Sequence, residues 1–344
     1  MTKRQRARLI YNPTSGQEIM TKNVAKVLNI LEGYGYETSA FQTTATPNSA
    51  RDEANRAARD GFDVIVAAGG DGTINEVVSG IAPLKVRPKI AIIPTGTTND
   101  FARALKIPRG NPVKAAELIG KHQTLNMDIG LADSDKYFIN IAAAGTLTEL
   151  TYSVPSQLKT MFGYLAYLAK GVELLPRLRN SLVTIKHDHG VFEGQASMIF
   201  VAITNSVGGF EAIAPDAKLD DGMFTLIIVK TANLFEIVHL IRLILQGGKH
   251  IDHPLLAYIK TSQILIEPKT SHRMMINLDG EYGGDAPIKL KNLKNHITFF
   301  ANTDAISDDA MMLETEDLAL EAIAQKFAHE VEDFEEHERN DDDL

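Results

Sequence analysis

The residues best suited to chemistry lie in Gly69-Gly70-Asp71-Gly72-Thr73-Ile74-Asn75-Glu76-Val77, which follows the apolar run Val64-Ile65-Val66-Ala67-Ala68 and opens into a helical pattern. Glycines after a strand let the backbone turn sharply and approach a ligand, and unpaired N–H groups at a helix start favour anionic oxygens. Thr73 would lie near that helix start. The stretch therefore reads as a phosphate cradle built from Gly69, Gly70, Asp71, Gly72, Thr73, Ile74 and Asn75, with a tight turn capped by Asp71 as the alternative. A carboxylate beside phosphate repels it, so the useful role for Asp71 is to hold Mg²⁺ or a water. A second carboxylate pair stands in Asn277-Leu278-Asp279-Gly280-Glu281 at the end of an apolar run. A general base for a hydroxyl nucleophile must be ionised and within hydrogen-bond reach, and either Asp279 or Glu281 meets that need.

Several elements must position these groups. Residues 7–11 read as a first strand ending in Asn12-Pro13-Thr14-Ser15-Gly16, a turn rich in backbone donors and hydroxyls. Val24, Val27, Leu28 and Leu31 recur at helical spacing, with Gly33 and Gly35 as the stop. A strand over 36–41 ends near Thr43, and Thr46 with Pro47 reads as a cap followed by Pro in the first turn. A helix over 74–81 follows the glycine stretch. Residues 89–93 form another buried strand, closed by Pro94-Thr95-Gly96-Thr97-Thr98-Asn99-Asp100-Phe101-Ala102-Arg103. This alternation predicts a three-layer α/β domain with a parallel sheet over residues 1–128. In such sheets ligands bind outside the carboxyl ends of the strands, so the loops at Asn12 and Gly69 should line one crevice, while Thr43, at a third strand end, reads on its own as a turn residue.

The second half follows a different pattern. Short β-rich runs at 137–141, 182–186, 198–204, 224–229, 264–267, 274–278 and 297–300 are separated by turn signals, which reads as an antiparallel β-sandwich over 129–302. Two helical insertions interrupt it, one with Leu158, Met161, Phe162, Leu165, Leu168 and Val172 on a single face, the other over 234–245. Their apolar faces suit core packing, and flanking Tyr164, Tyr167, Lys159 and Lys170 also suit a membrane interface. Residues 303–344 carry a helix with Leu320, Ile323, Phe327, Val331 and Phe334 on one face, then an acidic disordered end that is free to pack back on the first domain. A homodimer through that face is compatible with the pattern, but the seam is too short to favour a coiled coil.

Composition narrows the function classes. The chain has no cysteine among 344 residues, which excludes a disulfide framework and thiolate chemistry and fits a reducing cytoplasm. Lys3, Arg4, Arg6 and Arg8 run into Leu9-Ile10-Tyr11 and Asn12-Pro13, leaving no apolar segment for a secretory signal. No stretch approaches the roughly 18 apolar residues that span a bilayer. The net charge of -9 is unevenly placed: residues 301–344 hold 16 acidic and 2 basic residues, leaving 1–300 with 28 acidic and 33 basic, a net of +5. That body suits an anionic nucleotide or membrane surface, whereas no basic cluster interleaved with aromatics points to nucleic acid. No Gly-x-Ser-x-Gly elbow and no Gly-x-x-x-x-Gly-Lys-Ser/Thr loop occurs, so a kinase here would have to use the Gly69 loop.

Three motifs in order carry a resemblance. Gly69-Gly70-Asp71-Gly72-Thr73 with Asn75-Glu76 is similar to the glycine-rich signature of diacylglycerol, sphingosine, ceramide and NAD kinases and phosphofructokinases. The run from Pro94 to Arg103 and the loop from Asn12 to Gly16 narrow it to the lipid-kinase branch, and the chain from about Lys3 to about Asn302 resembles the soluble bacterial diacylglycerol kinases of Gram-positive type. The resemblance implies an ATP-dependent phosphotransferase that converts diacylglycerol to phosphatidic acid, with nucleotide on Asn12, Pro13, Thr14, Ser15, Gly16, Thr43, Thr97 and the Gly69–Asn75 stretch. It implies Glu281 as general base with Asp279 orienting it or helping to bind metal, in a cleft between the domains. It also implies a structural Mg²⁺ on the Lys218 and Met223 carbonyls and the Asp221 carboxylate. A cytoplasmic enzyme that visits the inner membrane face follows from the same resemblance. Kinases of a sphingoid base or polyprenol, an NAD kinase and a non-catalytic nucleotide-binding regulator are the alternatives; the run after Asn99 disfavours NAD kinase.

Overall fold

The computed structural model describes residues 4–16, 18–145, 180–205, 213–232, 250–270 and 273–306, with residues 236, 239, 240, 243 and 244 in addition. The insertion over 158–172, most of that over 234–245 and the acidic end from 307 lie outside the described residues.

The first part alternates β1 (Arg6–Tyr11), α1 (Val24–Gly33), β2 (Glu37–Gln42), α2 (Ser49–Arg59), β3 (Val64–Gly69), α3 (Asp71–Ile81) and β4 (Lys89–Pro94). The strands lie in the order β2-β1-β3-β4 and all pair in parallel. Every residue of β3 is buried, the consequence of a central strand covered on both faces, and this is why it reads as an unbroken apolar run. α4 (Asp100–Ala104) and α5 (Pro112–Gly120) follow, the latter started by Asn111, whose side chain accepts from the Lys114 N–H at 3.1 Å. α1 packs beside α5, and α2 beside α3.

The remaining strands are β5 (Thr124–Ala132), β6 (Lys136–Phe138), β7 (Ile141–Gly145), β8 (Ser181–His187), β9 (Gly190–Ala202), β10 (Phe224–Lys230), β11 (Leu256–Thr261), β12 (Gln263–Pro268), β13 (Met275–Leu278), β14 (Glu281–Asp285) and β15 (Ile288–Phe300), before the short α6 (Thr303–Ile306). They pair antiparallel around a core that includes Phe138, Ile199, Phe224, Ile264 and Leu290, with the Phe138 and Phe224 rings stacked at 5.7 Å. β15 is the joint between the two halves. It runs antiparallel to β12 and β5, and its far end meets β4 in parallel, Phe299 opposite Ile90. One hydrogen-bonded sheet of 15 strands results.

The expected α/β part with an antiparallel second part is therefore present, with local differences. α3 starts at Asp71, not Ile74, so the acidic residue itself occupies the first turn. α2 starts at Ser49 because Thr46 and Pro47 form a turn instead: the Ser49 N–H donates to Thr46 O at 3.2 Å, and its hydroxyl accepts from the Thr44 N–H at 3.0 Å. The single strand read over 137–141 breaks into β6 and the start of β7, since the N–H groups of Ile139, Asn140 and Ile141 turn to the Asp279 carboxylate. The boundary read at residue 128 falls inside β5, which pairs along β15.

Candidate active site

Three loops meet at the carboxyl ends of β1, β3 and β4. Leaving β1, the Asn12 N–H donates to Ala68 O at 2.9 Å, and the Asn12 side chain accepts from both the N–H and hydroxyl of Thr14. Ser15 Oγ donates to Thr95 O at 3.1 Å, and Gly16 sits at φ +56° so close to Thr95 that a Cβ there would lie 1.9 Å from the Thr95 carbonyl oxygen. Only glycine fits that position. Between β3 and β4 the approach is as tight: a Cβ on Gly96 would lie 2.6 Å from Gly70 Cα. The Thr43 N–H joins the same edge through Tyr11 O at 2.9 Å, and Pro13 stands half-buried beside it.

α3 opens at this junction. Gly70 is its N-cap, no side chain caps it, and Gly72 and Thr97 are exposed alongside, so backbone donors of the first turn face the crevice unfilled by side chains. The Ile74 side chain is fully buried in the core and its N–H donates to Gly70 O at 3.1 Å, so the expected nucleotide contact at Ile74 is not available, and Thr73 folds back against Gly69. Asn99, at φ +51° and buried, closes the third loop by bonding both the N–H and C=O of Gly96.

Asp71 is electrostatically exceptional. Thr98 Oγ1 donates to its Oδ2 at 2.9 Å, while Oδ1 is buried with no hydrogen-bond partner among the described residues. Burial, then the neighbouring Asp100 carboxylate, push its carboxyl up to about 6, against the opposing bonds from Thr98 and Phe101. An enclosed carboxylate oxygen lacking a donor, next to a second carboxylate, fits a divalent cation. No three acidic or histidine side chains among the described residues converge to hold a metal alone, so a cation here would keep water or phosphate oxygens as its other ligands, as Mg²⁺ does.

The second carboxylate pair divides. Asp279 takes φ +50°, and its side chain accepts from the Ile139, Asn140 and Ile141 N–H groups at 2.7 to 2.9 Å and from Asn75 Nδ2 at 2.8 Å. Burial raises its carboxyl, and these four donors oppose the rise. With both oxygens filled it acts as a strut. Glu281, two residues on, is exposed at the start of β14. Asn75 and Glu76 likewise bond protein groups, Glu76 Oε2 accepting the Ala50 N–H at the start of α2 at 2.9 Å.

The turn at Lys218, Asp221 and Met223 lies against Asp128. Asp221 Oδ1 accepts the Met223 N–H at 2.8 Å, Asp128 accepts from Gly222 N at 2.5 Å and Asn295 N at 2.8 Å, and the Asp128 N–H donates to Leu219 O at 2.8 Å. Burial raises the Asp128 carboxyl, with the nearby Asp221 charge adding to the rise. Two carboxylates thus adjoin at a turn with exposed Lys218, a donor set compatible with a hard cation. Sequence reasoning passed over Asp128, Thr98 and Lys136. Only Asp128 carried a signal, a lone acid between Met127 and Ile129 in a buried strand.

Residues 6–132 match the family described as diacylglycerol kinase catalytic domain, and residues 145–301 match the YegS C-terminal NAD kinase beta sandwich-like domain. A diacylglycerol kinase of Bacillus subtilis (strain 168) is 52% identical over 293 residues, covering 85% of this chain and 95% of the relative. The chain belongs to the diacylglycerol kinase family. A second member, from Staphylococcus aureus (strain JH9), is 46% identical over 306 residues, covering 89% of this chain and 95% of its own. The crystal structure of a diacylglycerol kinase from Bacillus anthracis str. Sterne superposes with a TM-score of 0.69 at 26% identity, covering 88% of this chain and 99% of that one. Membership makes the chain a lipid kinase, a phosphotransferase with ATP as donor. Among the described residues no helix is long and apolar enough to cross a membrane.

Proposed function

We propose that this family member transfers the γ-phosphoryl group of ATP to the free hydroxyl of diacylglycerol, giving phosphatidic acid. The observation that carries this reading is the buried, partner-lacking Oδ1 of Asp71 at the start of α3, where the three glycine-bearing loops meet. Amides at the start of α3, from Gly70 to Thr73, and those of the Asn12–Gly16 loop would cradle the triphosphate, with Thr43 and Thr97 at its edge. Asp71 would hold the Mg²⁺ that ATP carries. Bound there, the ion would neutralise charge on the phosphate oxygens. Glu281, open to solvent, would take the proton of the attacking hydroxyl, while Asp279 holds the turn that presents it. Lys218, Asp221 and Met223 would hold a separate structural Mg²⁺ through two carbonyls and one carboxylate. The lipid would be met at the inner membrane surface, the enzyme otherwise residing in the cytoplasm.

The test is labelled phosphatidate formation by the purified full chain with ATP, Mg²⁺ and diacylglycerol in mixed micelles, beside a sphingoid base, a polyprenol and NAD. Turnover should be fastest on diacylglycerol. A sphingoid base or polyprenol used at tenfold higher kcat/KM would overturn the substrate, and NADP formation without lipid phosphorylation would overturn the whole reading.

A further inference from the structure

Asn75 sits in the glycine-rich stretch, yet both polar atoms of its side chain bond within the protein. Its Nδ2 donates to Tyr137 O at 3.2 Å and to Asp279 Oδ2 at 2.8 Å, which uses both amide hydrogens, and its Oδ1 accepts from Ser79 Oγ at 3.3 Å. Both donors are thus spent inside the protein, and the oxygen has an internal partner as well. Residues 71, 75 and 79 fall on one face of α3 at four-residue spacing, so the strut stands one turn below Asp71. The Asp279 charge accordingly contributes to the upward push on Asp71.

The far side of the strut is equally bound. Asp279 gathers three successive N–H groups from 139–141, and Lys136 Nζ donates to Gly283 O at 2.7 Å, tying β6 to β14 beyond Glu281. α3, the segment 136–141 and the hairpin 279–285 are therefore tied to one another by these bonds. Asp279 holds a left-handed φ of +50°, a conformation Asp adopts more readily than most residues, and four hydrogen bonds to its carboxyl fix it there.

We propose that Asn75, acting through Asp279, is a positioning residue that sets the separation between the phosphate cradle on α3 and the hairpin carrying Glu281, and so governs the transfer step but not nucleotide binding. This rests on the lipid kinase reading and on Glu281 as its base. Lys136 serves the same function from the other end of the hairpin.

The experiment uses the full chain with diacylglycerol in mixed micelles, calorimetric ATP binding, and hydrogen exchange at Ile139, Asn140 and Ile141. Asn75→Ala should lower kcat about tenfold, the size expected for one lost bond to a carboxylate, with ATP Kd and KM within about twofold and faster exchange at the three amides. Lys136→Met, which keeps the aliphatic stem, should give a kcat loss of the same kind. Asn75→Asp would place two carboxylates in contact, where they must share a proton, so its activity relative to wild type should rise as pH falls from 8 to 6. A tenfold loss of ATP affinity with kcat preserved in Asn75→Ala would make Asn75 a nucleotide ligand and overturn the proposal. So would unchanged kcat in both Asn75→Ala and Lys136→Met, or an activity ratio for Asn75→Asp that does not change with pH. A wild-type chain that makes no phosphatidate overturns the substrate reading instead, and the exchange measurement still decides whether Asn75 holds the 139–141 amides on Asp279.

Discussion

Replacing Asp71 by Asn should stabilise the protein while disabling it. The Asp71 carboxyl stands at about 6 against an ordinary 3.8, raised first by burial and then by Asp100. Each unit corresponds to about 1.4 kcal/mol, so holding the ionised form inside the fold costs about 3 kcal/mol as an upper figure. The isosteric amide removes that cost and keeps an oxygen for the Thr98 hydroxyl. A gain of about 1 to 3 kcal/mol, or about 1 to 4 °C in the unfolding midpoint, is expected at pH 8 in EDTA. Because the folded-state value is raised, the wild-type penalty is absent below about 3.8, where the group is neutral in both states, and complete above about 6. Lowering the pH from 8 to 5 should therefore shrink the difference by about half. Adding Mg²⁺ should raise the wild-type midpoint more than that of the variant, and phosphatidate formation by the variant should fall about a hundredfold or more. A lower midpoint for Asp71→Asn at pH 8 without Mg²⁺, or a difference of equal size at both pH values, would refute the reasoning.

Other substitutions separate the remaining roles. Glu281→Gln should lower kcat by about 10² to 10⁴ with ATP affinity unchanged by calorimetry, and near wild-type turnover would move the base elsewhere. Gly70→Val should cost at least about tenfold in ATP affinity with little change in unfolding midpoint, because its extended backbone accepts a side chain and a Cβ there would rest 3.4 Å from Gly96 Cα without collision. Asp128→Ala leaves the buried N–H of Gly222 and the part-buried N–H of Asn295 without their acceptor and should lower stability by about 1 to 3 kcal/mol in urea unfolding. Asp221→Ala should reduce activity and weaken protection of the 218–223 amides together in millimolar Mg²⁺, and an identical exchange pattern with and without Mg²⁺ in the wild type would leave the turn without its metal.

Much of the first part was legible because its signals are local. A buried parallel strand must be continuously apolar, and a glycine turn after it must lead into a helix, so Val64 to Val77 declared itself. The rule for open sheets puts the Asn12 and Gly69 loops at one edge, and the structure adds the loop after β4 to them through close approaches at Gly16, Gly70 and Gly96. What failed to show were features set by distant partners. Asn75 looked like a phosphate ligand since it neighbours the cradle, but its donors are taken by Tyr137 and Asp279, more than sixty residues away. The break between β6 and β7 has the same origin, because no local pattern announces that three N–H groups will turn to one carboxylate. β14 was hidden by its glycines, Gly283 and Gly284, which lower strand propensity although pairing with β13 enforces the strand. β5 was hidden by the acid at its centre, which is readable only once Gly222 and Asn295 are known to face it.

The strand β15 has a consequence for the order in which this protein can be made. Residues 288–300 supply the neighbour of β4, and Phe299 packs edge-to-face on Phe101 at 5.0 Å, inside the first core. On the ribosome the parallel sheet emerges more than 150 residues before the strand that borders it. Until then β4 presents an open edge, with Ile90 and Ile92 beside it, and the Phe101 pocket lacks its occupant. Such a long-range closure is slow to form and leaves a pairing edge available to other chains meanwhile. The nascent parallel-sheet half thus exposes this edge until β15 is made, and a fragment ending before residue 288 should aggregate where the longer chain folds.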